Sequence, residues 1–328
     1  MRRTLIGVLG LALVATGCGG KREDAPTAQQ PAGGNAACEA ADGRVTIATG
    51  NVGGVYYVLG GGLAQVISNN SKLKATAADT GASVQNIQQL GDKTYDIAFS
   101  LADTAADAVQ GKSAFEGKPQ KVQALSRIYS NYTQVVVRTD SGINSVADFR
   151  GKRISTGSPK SGTEVIANRL LQAAGLKDAD LAPQRLALRQ TVDGMKEGKI
   201  DGLVWSGGLP TPEITDLTTS MGDKVKFIDI TPQLSALKQL NPVYDQGTIP
   251  AATYKLPADV PTIVVPNLLL VRDDFPAANA CAITKLIFDK KADLEKTHPS
   301  AKDITKETAV KTDPVPLHPG AKQALGVS

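Results

Sequence analysis

The sequence predicts an α/β protein of two domains with mainly parallel sheets. Three observations carry that expectation. Apolar runs of strand length alternate with helical patterns along most of the chain. Glycine-rich loops stand where several of these runs hand over to helices. Residues 44–328 are enough for two domains of ordinary size.

The chain opens with Arg2 and Arg3, an apolar run over 5–14, then Ala15, Thr16 and Gly17 before Cys18. A positive start, an apolar stretch and small residues make a secretory signal of residues 1–17. That stretch is too short to cross a bilayer, which takes ~20 residues. A cysteine after small residues resembles a bacterial lipobox, whose cysteine is lipidated and becomes the mature N-terminus. Ala15 stands where leucine is usual, so plain secretion remains the alternative to a lipid on Cys18. Residues 18–43 hold small and polar residues without apolar periodicity. They read as a flexible, lipid-anchored tether that keeps an extracytoplasmic body near a membrane.

Cleavage before Cys18 lowers the basic count from 36 to 34 against 32 acidic residues, a net charge of +2. Such balance, with Lys and Arg scattered, excludes a nucleic-acid partner, which demands a basic stripe. Cys38 and Cys281 then form an even pair in an oxidising compartment, so a disulfide is expected, with two buried thiols as the alternative. Neither His298 nor His318 has ligand spacing to a cysteine, so no metal is expected.

In chain order, strands are expected at 45–48, 72–77, 97–99, 122–128, 133–138, 153–155, 202–205, 226–228 and 263–271. Helices are expected at 57–69, 83–90, 104–109, 145–149, 163–174, 190–197, 212–219, 232–240 and 277–295. Aromatic residues are only 4% of the chain, so its cores must be aliphatic.

The most informative stretch is Thr46-Ile-Ala-Thr-Gly-Asn-Val-Gly-Gly-Val-Tyr-Tyr57. Here a strand enters a loop holding Gly50, Gly53 and Gly54, and a helix follows. Bare backbone N–H groups and the positive end of a helix suit an anionic group. Tyr56 and Tyr57 are near enough to add hydroxyls or ring faces. The alternative is a tight turn with packed tyrosines. A second such unit has Thr156, Gly157 and Ser158 in a loop and Ser161-Gly162-Thr163 at a helix start. Ser161 and Glu164 also match a capping box, which needs no ligand. Trp205 and Ser206 end a further strand, where Trp205 either walls a pocket or packs in a core. Thr80, Ser83 and Asn86 sit in a fourth strand-to-helix loop. Ligands of open α/β sheets lie beyond the carboxyl ends of strands, where all four loops fall.

Five motifs together carry a family resemblance. They are Ala48-Thr-Gly-Asn-Val-Gly-Gly-Val-Tyr-Tyr-Val-Leu-Gly60, Thr80-Gly-Ala-Ser-Val-Gln-Asn86, Gly157-Ser-Pro-Lys-Ser-Gly-Thr-Glu164, Gly198-Lys-Ile-Asp-Gly202 and Pro316-Leu-His-Pro-Gly-Ala321. In this order, over about residues 44–321, the chain resembles the TAXI family, the extracytoplasmic solute receptors of TRAP (tripartite ATP-independent periplasmic) transporters. The resemblance implies a type II periplasmic-binding-protein fold of two α/β lobes around a cleft. Lobe 1 would be 44–139 with 260–328, and lobe 2 would be 140–259. Both Cys38 and Cys281 would then belong with lobe 1.

The implied ligand is a small anionic metabolite: glutamate, glutamine or a related dicarboxylate. Lobe 1 would supply Gly53, Gly54, Tyr56, Tyr57, Thr80, Ser83 and Asn86. Lobe 2 would supply Thr156, Ser158, Ser161, Gly162 and Thr163, with Trp205 and Ser206 at the rim. The implied partner is a separate TRAP-type permease driven by an ion gradient, served by a monomeric receptor without cofactor. A subunit that senses the ligand for a membrane kinase would share the cleft. Two departures stand out: Gly81-Ala82-Ser83 replaces the family's Gly-Gly-Ser, and Ser100-Leu-Ala-Asp103 replaces its Gln-Ser-Asp-like string.

Enzymatic readings find little support. A dinucleotide loop at Thr49-Gly50 loses its last glycine to Tyr56. Ser71-Lys-Leu-Lys74 and Ser235-Ala-Leu-Lys238 match Ser-x-x-Lys without the accompanying motifs, and His318 has no Gly-x-Ser-x-Gly serine to serve.

Overall fold

The computed structural model of the protein describes residues 38–328. The expected signal sequence, Cys18 and the tether up to residue 37 lie outside the described residues. Ten strands make one sheet: β1 (Gly43–Ala48), β2 (Leu73–Ala78), β3 (Ile97–Leu101), β4 (Val122–Arg138), β5 (Arg153–Ser155), β6 (Ala182–Gln184), β7 (Gly202–Gly207), β8 (Val225–Phe227), β9 (Asp245–Ile249) and β10 (Val260–Arg272). Around it lie α1 (Val55–Asn70), α2 (Ser83–Gly91), α3 (Ala102–Gln110), α4 (Gly162–Ala173), α5 (Leu188–Lys196), α6 (Pro212–Met221), α7 (Leu234–Leu240) and α8 (Ala251–Tyr254). The chain ends in α9 (Ala277–Asp289), α10 (Lys291–Thr297), α11 (Lys306–Ala309) and α12 (Pro319–Leu325).

The strand order is β2-β1-β3-β10-β4-β7-β5-β6, with β8 on β4 and β9 on β10. This sheet is mixed, which corrects the expectation of mainly parallel pairing. β1, β2 and β3 are parallel, as are β5, β6 and β7. Parallel neighbours need crossover helices, and α1, α2, α4 and α5 serve. The long strands β4 and β10 run antiparallel to their partners and join the two groups.

The sequence suggests a break between 128 and 133, but β4 runs straight through. Residues 122–132 pair with β10 and residues 132–137 with β7. Ser130 and Asn131 interrupt the apolar pattern where the strand changes partner. The helix expected over 277–295 is two helices, parted at Lys290, whose φ of −112° leaves the helical region. Strands β6 and β9 were not anticipated because neither shows an apolar alternation.

The core is aliphatic, with Ile47, Ile67, Leu73, Ile87, Leu90 and Ile97 fully buried. Cys38 and Cys281 are joined in the expected disulfide, Cα atoms 5.0 Å apart, which ties the end of the tether to α9. Beside it, Ala41 N–H donates to Asn279 Oδ1 (3.0 Å). A bridge over so long a stretch of chain stabilises mainly by restricting the unfolded state, by about 2–4 kcal/mol.

Arg169 on α4 donates to Asp103 (2.8 Å) and Asp107 (2.6 Å) on α3 and to the Tyr244 hydroxyl (2.9 Å). Burial lifts the Asp103 carboxyl above its ordinary value, against the pull of Arg169, Tyr244 and the Thr104 N–H. Desolvation of such charges roughly offsets their attraction. The cluster therefore acts by fixing how α3 meets α4, since a slip of either helix would strand a buried charge.

Two histidines each precede a proline and cap a helical turn. His318 Nδ1 accepts from Gly320 N–H (3.1 Å) while Nε2 faces the Phe275 carbonyl (3.0 Å). His298 repeats this with Ser300 N–H (3.1 Å) and the Pro210 carbonyl (3.0 Å). Both must be neutral, with the proton on Nε2, to make these bonds. Burial depresses both pKa values below the ordinary 6.5. Protons therefore bind the unfolded chain first, and stability falls with pH below about 6.5. The melting temperature is expected to drop between pH 7 and pH 5.5. The double variant His298→Asn with His318→Asn should lose most of that slope. A flat or rising profile in the parent protein contradicts the assignment.

Candidate ligand site

Three strand-to-helix loops meet over the sheet. After β1, Gly53 has φ +82° and Gly54 is the N-cap of α1, with no side chain capping it. After β2, Ala82 is the N-cap of α2, again without a side-chain cap. After β5, Ser161 caps α4 and its Oγ accepts from Glu164 N–H (3.0 Å). Only half of the expected capping box forms, because Glu164 turns back to Lys160 N–H (2.8 Å). The first N–H groups of a helix have no partner within it, and they carry the positive end of its dipole.

These loops touch across the gap. Ser158 Oγ donates to Asn51 Oδ1 (2.7 Å), and Gln85 N–H donates to the Lys160 carbonyl (3.1 Å). Gly162 comes so close that an added Cβ would lie 2.5 Å from Leu101 and 2.7 Å from Ser83 Oγ. Only glycine lets α4 approach so far.

Between them is a small cavity lined by Gly50, Asn51, Gly54, Val55, Tyr56, Ala82, Ser83 and Leu101, and by Tyr129, Asn131, Ser161, Gly162, Thr163, Trp205, Ser206 and Gly207. It offers about 30 Å³, room for one or two waters by that measure. A metabolite therefore enters only if the walls part and reclose. No Asp, Glu, Lys, Arg or His lines it. Among the described residues, no group of three or more His, Cys, Asp or Glu is placed to hold a metal ion.

Two hydroxyls in this wall are buried without a hydrogen-bond partner, Tyr129 Oη and Ser206 Oγ. Their residues are 1% and 6% exposed. Such a group costs about 1–3 kcal/mol when left unpaired, so two in one cavity call for a polar partner there, water or ligand. Around them the wall is braced. Tyr56 donates to Asn267 Oδ1 (2.5 Å), Asn267 to Asn131 Oδ1 (2.8 Å), and Asn131 to the Ser206 carbonyl (3.1 Å). Burial raises the Tyr56 and Tyr129 phenols well above their ordinary pKa, so both stay neutral.

Of the residues singled out in the sequence, Gly54, Tyr56, Ser83, Ser161, Gly162, Thr163, Trp205 and Ser206 stand in this wall. The others lie outside it. Gly53 faces Glu213. Thr80 donates to Asn86 Oδ1 (2.6 Å), and Asn86 donates to the carbonyls of Thr49 (2.7 Å) and Phe99 (2.8 Å), pinning the strand ends. Ser158 binds Asn51, Thr156 is buried behind its loop, and Tyr57 is 39% exposed on the outer face of α1. Asp103 is held by Arg169 behind Leu101. Asn51, Tyr129 and Asn131 were missed. Ser130 and Asn131 interrupt the apolar pattern of 122–138, a signal for Asn131, whereas Tyr129 fits that pattern and gives none.

Ala82 has φ +80° and ψ −149°, a region that only glycine adopts freely. The resemblance puts glycine there. The strain costs about 1–3 kcal/mol, and glycine returns about 0.4–1 kcal/mol of that through the unfolded chain. Ala82→Gly is expected to raise the unfolding free energy by about 1 kcal/mol in urea titration. Equal or lower stability contradicts the strain.

The fold is similar to that of several solved structures. A protein from Bordetella bronchiseptica RB50 aligns with TM-score 0.54 and 19% identity, over 86% of this chain and 88% of that one. The binding protein component of an ABC phosphonate transporter from Pseudomonas aeruginosa aligns with TM-score 0.53 and 10% identity, over 80% of each. At such identities the likeness is one of fold: the type II periplasmic-binding-protein fold, two α/β lobes with a cleft between them. The family model described as the NMT1-like family matches residues 47–325, and the chain belongs to that family.

Proposed function

We propose that the protein is an extracytoplasmic solute-binding receptor that captures a small anionic metabolite by closing two lobes over it. One observation carries this reading: three helix starts and two unpaired buried hydroxyls meet around a single cavity with no charged side chain in its wall. Neutral donors and dipole ends can hold a carboxylate without a cationic residue. A ligand that bridges both sides binds the closed form more tightly and so shifts the population towards it. The lobes are 44–139 with 260–328, and 140–259, and the passage of β4 and β10 between the two strand groups supports that division. Nothing in this arrangement calls for catalysis.

The motif series supports the finer reading of a TAXI receptor that delivers glutamate, glutamine or a dicarboxylate to an ion-driven TRAP permease. Lipidation at Cys18 would hold the receptor at the membrane. No helix among the described residues is long and apolar enough to span a bilayer, so the permease is a separate polypeptide in this reading. Uptake by vesicles holding the permease should stop with a protonophore or sodium ionophore and survive vanadate. The reverse pattern assigns the receptor to an ATP-driven importer instead.

Tyr129→Phe and Ser206→Ala test the site directly. Each removes an unpaired buried hydroxyl, so the ligand-free protein should gain up to about 1 kcal/mol of stability. Each should also weaken binding of the best carboxylate, found by thermal-shift screening, about tenfold. Unchanged affinity in both variants puts the ligand elsewhere.

A further inference from the structure

The polar groups of the otherwise apolar cavity wall are mostly ones that can donate. Val55 and Tyr56 at the start of α1, Ser83 at the start of α2, and Gly162 and Thr163 at the start of α4 are first-turn residues whose N–H groups have no partner within their helices. Apart from the unpaired hydroxyls of Tyr129 and Ser206, which can donate as well as accept, the side-chain acceptors are already engaged. Ser83 Oγ accepts from Leu101 N–H (3.1 Å), Ser161 Oγ from Glu164 N–H (3.0 Å), and Thr163 Oγ1 from Ser206 N–H (3.2 Å). The Ser161 and Thr163 hydroxyls therefore have their protons to offer, while the Ser83 hydroxyl is also engaged with Tyr56. Asn51 Oδ1 is taken by Ser158 (2.7 Å) and Asn131 Oδ1 by Asn267 (2.8 Å).

The nearby carboxylates are engaged as well. Asp103 is fully buried and bound to Arg169 (2.8 Å) and Tyr244. Glu213 lies outside the wall, beside Gly53, and pairs with Arg189 (3.1 Å). An ammonium group bound here would meet three positive helix ends and no counter-charge, after losing its water. A carboxylate, keto oxygen or hydroxyl would meet the donors at the three helix starts.

Resting on the receptor reading above, we propose that the cavity selects carboxylates that carry no ammonium group, so that oxo acids, hydroxy acids or plain dicarboxylates are its ligands and amino acids are not. Of the compounds implied by the motif resemblance, this keeps the dicarboxylates and removes glutamate and glutamine.

The test is calorimetric titration of the mature protein with pairs sharing a carbon skeleton: pyruvate and L-alanine, oxaloacetate and L-aspartate, 2-oxoglutarate and L-glutamate. D-Glucose and uridine serve as neutral controls. In whichever skeleton binds, the oxo acid is expected to bind at least tenfold more tightly than the amino acid. An amino acid that binds as tightly as its oxo acid, or more so, overturns this selectivity and leaves the anion receptor standing. If a control binds and no acid does, or if nothing binds at millimolar concentration, the receptor reading falls and the selectivity falls with it.

Discussion

Everything else in the molecule depends on one constraint: three helices start at the same small void, and no ionised side chain shares it. Aligned N-termini repel one another, because each carries about half a positive charge. Their convergence is stable only if something offsets that field or the chain forces it. Here the chain does the forcing. β1 and β2 run opposite to β5 across the antiparallel pairings of β3, β10, β4 and β7, so their loops point towards one another, and the bond between Ser158 and Asn51 closes the gap.

Two devices set that geometry from a distance. β10 pairs with β3 of one group, β4 pairs with β7 of the other, and the two pair with each other, so movement of one group against the other must be absorbed where β4 changes partner, near Asn131 and Tyr132. Farther out, Arg169 with Asp103 and Asp107 fixes α4 on α3. Opening the cleft along that line would separate buried charges. In the proposed receptor the cluster would set a cost of opening, and the cavity would set the gain of closing over an anion. A receptor of this kind works when the two are close, because then ligand decides the population.

Much of the fold was legible because its units are local. Gly53-Gly54 before Tyr56, and Ser161-Gly162-Thr163 after a short strand, mark strand-to-helix turns by composition alone, and they stand where expected. What was not legible is long-range. The mixed sheet follows from pairings between residues more than a hundred positions apart, such as Leu268 with Arg127, and no periodicity records a partner. The site divides along the same line. Ser83, Ser161 and Trp205 advertise themselves through neighbouring glycines or rarity, whereas Tyr129 lies in mid-strand and becomes a wall residue only after folding. Thr80 and Asn86 show the converse: their motif is recognisable, yet their side chains spend their hydrogen bonds holding the loop.

The most direct measurement of the central claim replaces the charge and keeps the shape. A bound carboxylic acid and its primary amide differ little in size, and only the acid is an anion. If the helix starts and hydroxyls hold negative charge, calorimetry should show the amide binding at least a hundredfold more weakly, a difference of about 2.7 kcal/mol. Equal affinity for acid and amide would contradict the account, because the converging N–H groups would then be a consequence of the fold rather than the means of recognition.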